Sequence, residues 1–308
     1  LLYQLDPAVV LQHMRLVGWG MLLIIAQEIL AYFANALGWY LCLSPAHRDI
    51  PFAQVFAARI AGDAVNYITP TANVGGEFIR TRFLRSYAPT TALVASVTIA
   101  KISQALGQVA FILFGLFFVV RDLPIPASIR WGIVLSITLL TVTLLTLVWR
   151  QGRGHEQGVF TATWRVISRT GILGKRSPQF VHTLQTLDAE FAQFYRRAQG
   201  SFIASVLCFF SGWALGAVEI YLLLYFLDLP VTWHMAITIE VLSVAIDGMF
   251  FFVPAKAGTQ EAGKVFIFTA LGLDPAKGLS LGILRRVREF VWSVVGMVLL
   301  SRRHISLR

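Results

Sequence analysis

Residues 63–77 read DAVNYITPTANVGGE, and residues 247–261 read DGMFFFVPAKAGTQE. Both segments contain an aspartate, a proline seven positions later and a glutamate seven positions after the proline. Each follows a long apolar stretch, and each combines a helix-breaking Pro with Gly. Ionisable residues inside a membrane are costly and usually functional. The pattern predicts two copies of one broken-helix unit, which is how many transporters build a substrate site.

The composition is that of a polytopic membrane protein. The chain has 308 residues, of which 56% are hydrophobic and 14% are charged, whereas a soluble protein carries roughly 25% charged residues. The formal net charge is +10, and the basic residues fall mostly in loops and at helix ends. This distribution follows the positive-inside rule and suits anionic lipid headgroups. We therefore expect the membrane as partner and no nucleic acid, which needs a solvent-facing basic surface.

Several kinds of chemistry are not predicted. Cys42 and Cys208 both lie in apolar stretches and indicate no disulfide framework. The six histidines are far apart and form no HxxxH or HxxE pair, so neither a metal site nor a cofactor is expected. No HExxH, P-loop or GxGxxG motif is present, and we do not predict an enzyme.

We predict an all-α integral membrane protein, a single domain over residues 1–308 that contains two repeat units. Unit one covers 16–149, and its elements are the spans Leu16–Leu43 and Pro89–Val120, the extra span Trp131–Trp149, and the arms Ile50–Thr69 and Val74–Ser86. Unit two covers 201–300, with the spans Ser201–Leu227 and Pro275–Leu300 and the arms Trp233–Val253 and Thr259–Leu271. About 20 apolar residues cross a bilayer, and the arms are shorter. The breaks between the arms are assigned to Pro70, Gly75, Gly76, Pro254 and Gly258.

Residues 150–200 are the most polar stretch, with eight basic and three acidic residues. From Gln179 to Arg197 the apolar residues recur at helical spacing, which predicts an amphipathic helix at the membrane interface. Its apolar positions are Phe180, Leu184, Leu187, Phe191 and Phe194. A second short amphipathic helix is predicted near the start of the chain, at Leu5–Leu16.

Charge also predicts the topology. The 150–200 loop and the Arg302-Arg303 tail are strongly basic, so both are expected in the cytoplasm, together with the C-terminus. Tracing the spans from these points gives the two units opposite orientations. The prediction is a helical bundle of two inverted repeats, each with a Pro-broken re-entrant hairpin.

The ionisable residues in these apolar segments are the candidate site. The basic ones are predicted to contact an anionic headgroup, since guanidinium and ammonium groups bind phosphate; they are Arg80, Lys101, Lys256, Arg285, Arg286 and Arg288. The acidic ones would balance these charges or carry coupling protons; they are Asp63, Glu77, Asp247, Glu261 and Glu289. Glu28 and Glu219, in the first span of each unit, are expected to pair across to these cations.

Each assignment has a structural alternative. Glu77 lies just after Gly75 and Gly76, where an acidic residue caps a helix N-terminus favourably. Lys256 could reach the membrane interface with its long side chain. The arginines of 285–288 could form a structural ion-pair network with the nearby carboxylates.

Three segments resemble a known family. They are VNYITPTANVGGEFIRTRFL (65–84), FFVPAKAGTQEAGKVFIFTALGL (251–273) and LGILRRVREFVW (281–292). They resemble the flippase-like membrane-domain family that includes the transmembrane region of lysylphosphatidylglycerol synthase and hopanoid-biosynthesis-associated membrane proteins. The resemblance covers about residues 1–300, and members usually begin with one more helix before the point matching Leu1. Many members have a glycine pair after the second proline, where this chain has Ala255 and Lys256.

The resemblance implies translocation of an anionic lipid, either a phospholipid or an isoprenoid-linked lipid, across the bacterial inner membrane. The synthase members carry aminoacyl transfer in a separate soluble domain, so lysyl transfer is not predicted here. Two alternatives stay open. One is a non-transporting scaffold that recruits lipid- or envelope-synthesis enzymes at the cytoplasmic face, and the other is a membrane enzyme acting on a lipid headgroup.

Overall fold

The chain is described here from a computed structural model that covers residues 7–69, 75–122, 178–250 and 258–306, Val253, and scattered positions between 131 and 168. These residues are helical and contain no strand, which confirms the predicted helical class. The first half contains α1 (Pro7–Val17), α2 (Gly20–Leu41), a 3₁₀ turn (Pro45–His47), α3 (Phe52–Ile68), α4 (Gly75–Leu84) and α5 (Thr90–Asp122). The second half contains α6 (Pro178–Arg197), α7 (Gln199–Phe226), α8 (Trp233–Met249), α9 (Thr259–Ala270) and α10 (Pro275–Ser306).

Within the described residues, three helices are long and apolar enough to cross a membrane: α2, α5 and α7. The predicted span at Trp131–Trp149 falls largely outside these residues. The predicted span at Pro275–Leu300 corresponds to α10, which has 32 residues and would be about 48 Å long at 1.5 Å per residue. Helix α10 is therefore long enough to cross a bilayer. It differs from the three apolar helices in the charged side chains that it carries.

Both predicted interruptions coincide with helix ends. Helix α3 stops at Ile68 and α4 begins at Gly75, while α8 stops at Met249 and α9 begins at Thr259. The residue before α9 is Gly258, with φ at +77°, a left-handed conformation that glycine adopts at little cost. Pro70, Pro254 and Lys256 themselves lie outside the described residues.

The helices of one half pack against those of the other half. The first spans, α2 and α7, pack on each other. Helix α10 packs along α3, and α5 packs along α8. Exchanging the two halves turns one of these last two contacts into the other, because α5 follows α4 in the first half as α10 follows α9 in the second. The apolar interior follows this arrangement, with one core around Trp39 and Phe209 and another around Ile24 and Phe268.

The predicted amphipathic helix is present as α6. Leu187, Phe191 and Phe194 of its apolar stripe are buried in the core of the first half, and Leu184 packs against that core. Helix α6 therefore turns its apolar face to the protein, chiefly to α5.

Small residues permit the closest crossing of α10 with α3. A Cβ atom on Gly296 would lie 2.5 Å from the Cβ of Ala64 and 2.6 Å from the backbone oxygen of Ile60. Neither atom belongs to a flexible side chain, so the two helices would have to separate. Gly200, in the first turn of α7, has no atom within 4 Å of such a Cβ.

We expect Gly296→Ala to lower the free energy of unfolding by about 1–3 kcal/mol, since overpacking a tight contact costs this much. Gly200→Ala is the matched control and should be neutral or stabilising, because alanine favours helix by about 1 kcal/mol over glycine. Thermal unfolding of both variants in detergent measures the difference. Equal stability of the two variants would show that the α3–α10 contact is looser than described.

Candidate functional site

A close crossing of α3 and α4 positions the ionic residues of the first half. A Cβ on Gly76 would lie 2.2 Å from the backbone oxygen of Gly62, so glycine at position 76 is what lets the two backbones touch. The backbone N–H of Gly76 donates to Oδ1 of Asn66 at 2.6 Å, which fixes the start of α4. This contact places the aspartate of α3 beside the arginine of α4.

The resulting Arg80 cluster consists of Arg59, Asp63, Glu77, Arg80 and Lys101. Arg59 donates from Nε to Asp63 Oδ2 at 3.0 Å, and Arg80 pairs with Asp63 Oδ1 through its Nη2. Arg80 Nη1 also donates to Glu77 Oε2 at 2.7 Å, and Lys101 Nζ lies 2.6 Å from Glu77 Oε1. Three cations face two carboxylates, so the fully ionised cluster carries a net charge of +1. Arg80 is 4% exposed at its side chain, whereas Lys101 is 40% exposed.

The second half contains an equivalent pair. Glu261, in the first turn of α9, pairs with Arg286 of α10, as Glu77 in the first turn of α4 pairs with Lys101 of α5. Both glutamates hold the N-terminal position that suits a helix dipole and also an ion pair, so the two interpretations of Glu77 are compatible. Arg286 is 26% exposed and its Nη1 donates to the Tyr67 hydroxyl at 3.5 Å.

A larger set of ion pairs, the Arg288 network, connects α10 to three other helices. Its members are Glu28, Glu219, Glu240, Arg285, Arg288 and Glu289. Arg285 Nη2 lies 2.8 Å from Glu219 and 2.6 Å from Glu240. Arg288 lies 2.6 Å from Glu28, 2.7 Å from Glu219 and 3.8 Å from Glu289. The predicted pairing of Glu28 and Glu219 with these cations is confirmed.

These contacts show why α10 tolerates its arginines. An unpaired charge inside the membrane is costly, and a buried pair is acceptable when its geometry and hydrogen bonds are good. Arg285 and Arg288 are nearly buried and turn toward carboxylates, which is the structural alternative that the sequence left open. Lys101 and Arg286 are the more exposed cations of the described site.

A cavity of about 180 Å³ lies between the two clusters. Its walls include Arg59 of the Arg80 cluster and all six members of the Arg288 network, together with Asp247 and Gln260. A separate apolar groove of about 620 Å³ runs between α3 and α10, and Tyr67 is one of its lining residues. Tyr67 therefore connects the groove to Arg286.

Sequence reasoning missed three participants, namely Arg59, Glu240 and Tyr67, and also the buried cation Lys264. Lys264 could have been found, because it follows Glu261 by three positions as Arg80 follows Glu77, and it is fully buried. Arg59 and Glu240 have no counterpart in the other unit: Ser243 stands at the position of Arg59, and Phe56 at that of Glu240. The repeat spacing therefore carried no signal for them. Lys256 and the two prolines lie outside the described residues, and among those described no group of three His, Cys, Asp or Glu is placed to hold a metal ion.

Helical architecture and buried ionic clusters together define a multi-pass membrane protein. Residues 1–296 match the family described as lysylphosphatidylglycerol synthase TM region, and the chain belongs to this family. The predicted family is therefore confirmed, and it associates the chain with lipid-related membrane biology. A UPF0104 membrane protein of Pyrococcus horikoshii is 20% identical to the chain over 278 residues, which is 87% of this chain and 82% of the relative. No solved structure matches the chain.

We expect Arg285→Met to destabilise the protein by about 3–5 kcal/mol, because it leaves Glu219 and Glu240 with less cationic compensation in a buried site. Thermal unfolding in detergent measures the loss. Arg82→Met, at an exposed position of α4, is the control and should change stability little. Adding Glu240→Gln to Arg285→Met should recover part of the loss. A double variant no more stable than Arg285→Met would show that charge compensation is not the reason.

Proposed function

We propose that the protein is a transporter that translocates an anionic lipid across the bacterial inner membrane, and that it is not an enzyme. The observation that carries the proposal is the contact between Tyr67 and Arg286. It connects a partly exposed cation to an apolar groove in the surface of the bundle. A lipid has the matching chemistry, with an anionic headgroup joined to an acyl or isoprenoid chain.

The groove has dimensions that suit one lipid chain. It is lined by Ile68 of α3 and, on α10, by residues from Phe290 to Ser301. These α10 positions extend about 16 Å along the helix, roughly half of the ~30 Å hydrocarbon thickness of a bilayer. The groove is therefore about as long as the chain region of a single leaflet.

The exposed cations would take the headgroup. Lys101 and Arg286 occupy equivalent places in the two units, and each is paired with the glutamate that begins the second arm. A phosphate would compete with Glu77 for Lys101 or with Glu261 for Arg286. Binding of the phosphate would therefore leave the ion pairs of the buried arginines intact. Lys256, four positions before Gln260, is a further candidate for the same headgroup. Arg80, Arg285 and Arg288 would stabilise the packing around the headgroup site through their ion pairs.

In this proposal the two units are inverted repeats with re-entrant arms, and the 150–200 loop and the C-terminus are cytoplasmic. The contact pattern supports the repeat, because α3 with α10 and α8 with α5 are equivalent pairs under exchange of the units. Inversion would direct the Lys101 and Arg286 sites to opposite leaflets. They would then be two binding sites that one headgroup occupies in turn during translocation.

The first test compares lipids that remain bound to purified protein in native mass spectrometry. Wild type should retain a discrete anionic lipid, and Arg286→Ala and Lys101→Ala should each reduce its occupancy about tenfold, corresponding to about 1.4 kcal/mol. Arg82→Gln removes the same charge from an exposed position and is the matched control. Unselective lipid in all four proteins would contradict the headgroup site.

The second test fills the groove. Val294→Trp adds bulk to the groove wall on α10, where Val294 is exposed, and should slow translocation of a fluorescent anionic lipid in liposomes at least fivefold. Val142→Trp, at another exposed apolar position, should leave the rate unchanged. A wild-type protein with no translocation in either direction would overturn the proposed function.

A further inference from the structure

The cavity of about 180 Å³ has chemistry that an anionic headgroup does not explain. It is large enough for several water molecules, since each needs about 10–15 Å³ of such volume. Its walls carry more carboxylates than cations. The charged residues lining it are Glu28, Arg59, Glu219, Glu240, Asp247, Arg285, Arg288 and Glu289.

The Arg288 network has an excess of negative charge. Two arginines serve four carboxylates, so its fully ionised net charge is −2. The Arg80 cluster has a net charge of +1, and the Glu261–Arg286 pair is neutral. Asp247 lines the cavity and Lys264 is buried, and their opposite charges cancel. Together all these groups carry a charge of −1 inside a membrane protein, where uncompensated charge is costly. One bound proton would make them neutral.

Three carboxylates of this network contact Arg288. Arg288 lies 2.6 Å from Glu28 but 3.8 Å from Glu289, so Glu289 has the weaker ion pair. Glu219 lies within 2.8 Å of both arginines. Like charges in one site disfavour simultaneous ionisation, and Glu28 and Glu289 both compete with Glu219 for Arg288.

Gln260 provides an independent observation. It lines the cavity, is 2% exposed, and donates from Nε2 to Glu289 Oε1 at 3.2 Å. Its other amide atom, Oε1, has no hydrogen-bond partner within the described residues, and a buried acceptor without a donor costs about 1–3 kcal/mol. The Gln260 amide can hydrogen-bond to Glu289 in both protonation states. Its Nε2 donates to the carboxylate, and after rotation of the amide group its Oε1 would accept from the carboxylic acid.

We infer that the cavity is a proton-binding site in which Glu28 and Glu289 share one proton, with Gln260 as the hydrogen-bond partner of Glu289. A proton that arrives through the cavity water converts one of these two carboxylates to a carboxylic acid, and the network charge changes from −2 to −1. Release returns the proton from the same oxygen to water. A chelated metal ion is less suited, because no three described His, Cys, Asp or Glu side chains are placed as its ligands. The protonation does not depend on the proposed function, whereas its coupling to lipid movement rests on that function.

The charged and titratable groups around Glu289 come from every helix of the site. They are Glu28 of α2, Arg59, Asp63 and Tyr67 of α3, Glu219 of α7, Glu240 and Asp247 of α8, Glu261 and Lys264 of α9, and Arg285, Arg286 and Arg288 of α10. The acids outnumber the bases on α2, α7 and α8. Removing one carboxylate that shares Arg288 should therefore remove the need for the proton.

The direct test is infrared spectroscopy of the full chain in liposomes at neutral pH. Wild type should show the carbonyl stretch of a protonated carboxylic acid, shifted by deuterium exchange. Glu289→Gln should abolish this band, and Glu28→Gln should abolish it too, because each variant removes one of the carboxylates that compete for Arg288. Asp49→Asn, at an exposed position, should keep the band. Absence of the band from wild type, or its survival in Glu289→Gln, would overturn the inference.

Transport measurements separate this inference from the proposed function. Wild type should move a fluorescent anionic lipid several-fold faster under an imposed proton gradient, whereas Glu289→Gln should lose the acceleration. Translocation that does not respond to the gradient, or responds to sodium instead, would overturn proton coupling while leaving the transporter proposal intact. An infrared band without any translocation would support the proton site and contradict the transporter.

Discussion

The need to pair every charge that enters the apolar interior is the constraint on which this structure depends. Helix α10 carries three arginines in its middle and would be a poor membrane helix in isolation. It is accommodated because carboxylates from α2, α7 and α8 meet Arg285 and Arg288, and Glu261 of α9 meets Arg286. The ion pairs thus connect α10 to α2, α7, α8 and α9, while α3 and α9 provide most of its packing.

The two halves share a plan but differ in charge. Each pairs a glutamate at the start of its second arm with a cation on its last helix. Arg59 adds a cation to the first half, and Glu240 adds a carboxylate to the second, so one ionic cluster is net positive and the other net negative. A site with both signs can attract an anionic group at one place and a proton at another. In the proposed function, this difference in charge between the two halves gives the headgroup and the proton separate sites.

The repeat spacing predicted much of the site. The Asp-Pro-Glu spacing predicted the helix ends around both prolines. It also singled out Glu77 and Glu261, which the structure places in ion pairs. Glu28 and Glu219 were expected to pair with cations because apolar helices rarely carry a carboxylate without a partner. Arg59 and Glu240 could not be found from the repeat, since each occurs in one half only, although Arg59 stands four positions before its partner Asp63. The partners of Glu240 and Tyr67 are distant in sequence.

The sequence by itself determined the helical membrane class, the family and the interrupted arms, because hydropathy and helix-breaking residues act locally along the chain. The tertiary structure decided which arginines are committed to carboxylates and which remain partly exposed. Residues 28 and 288, or 67 and 286, are brought together only by the packing of α10 against α2 and α3. Contacts across more than 200 positions depend on how several helices pack at once, and no local pattern encodes that.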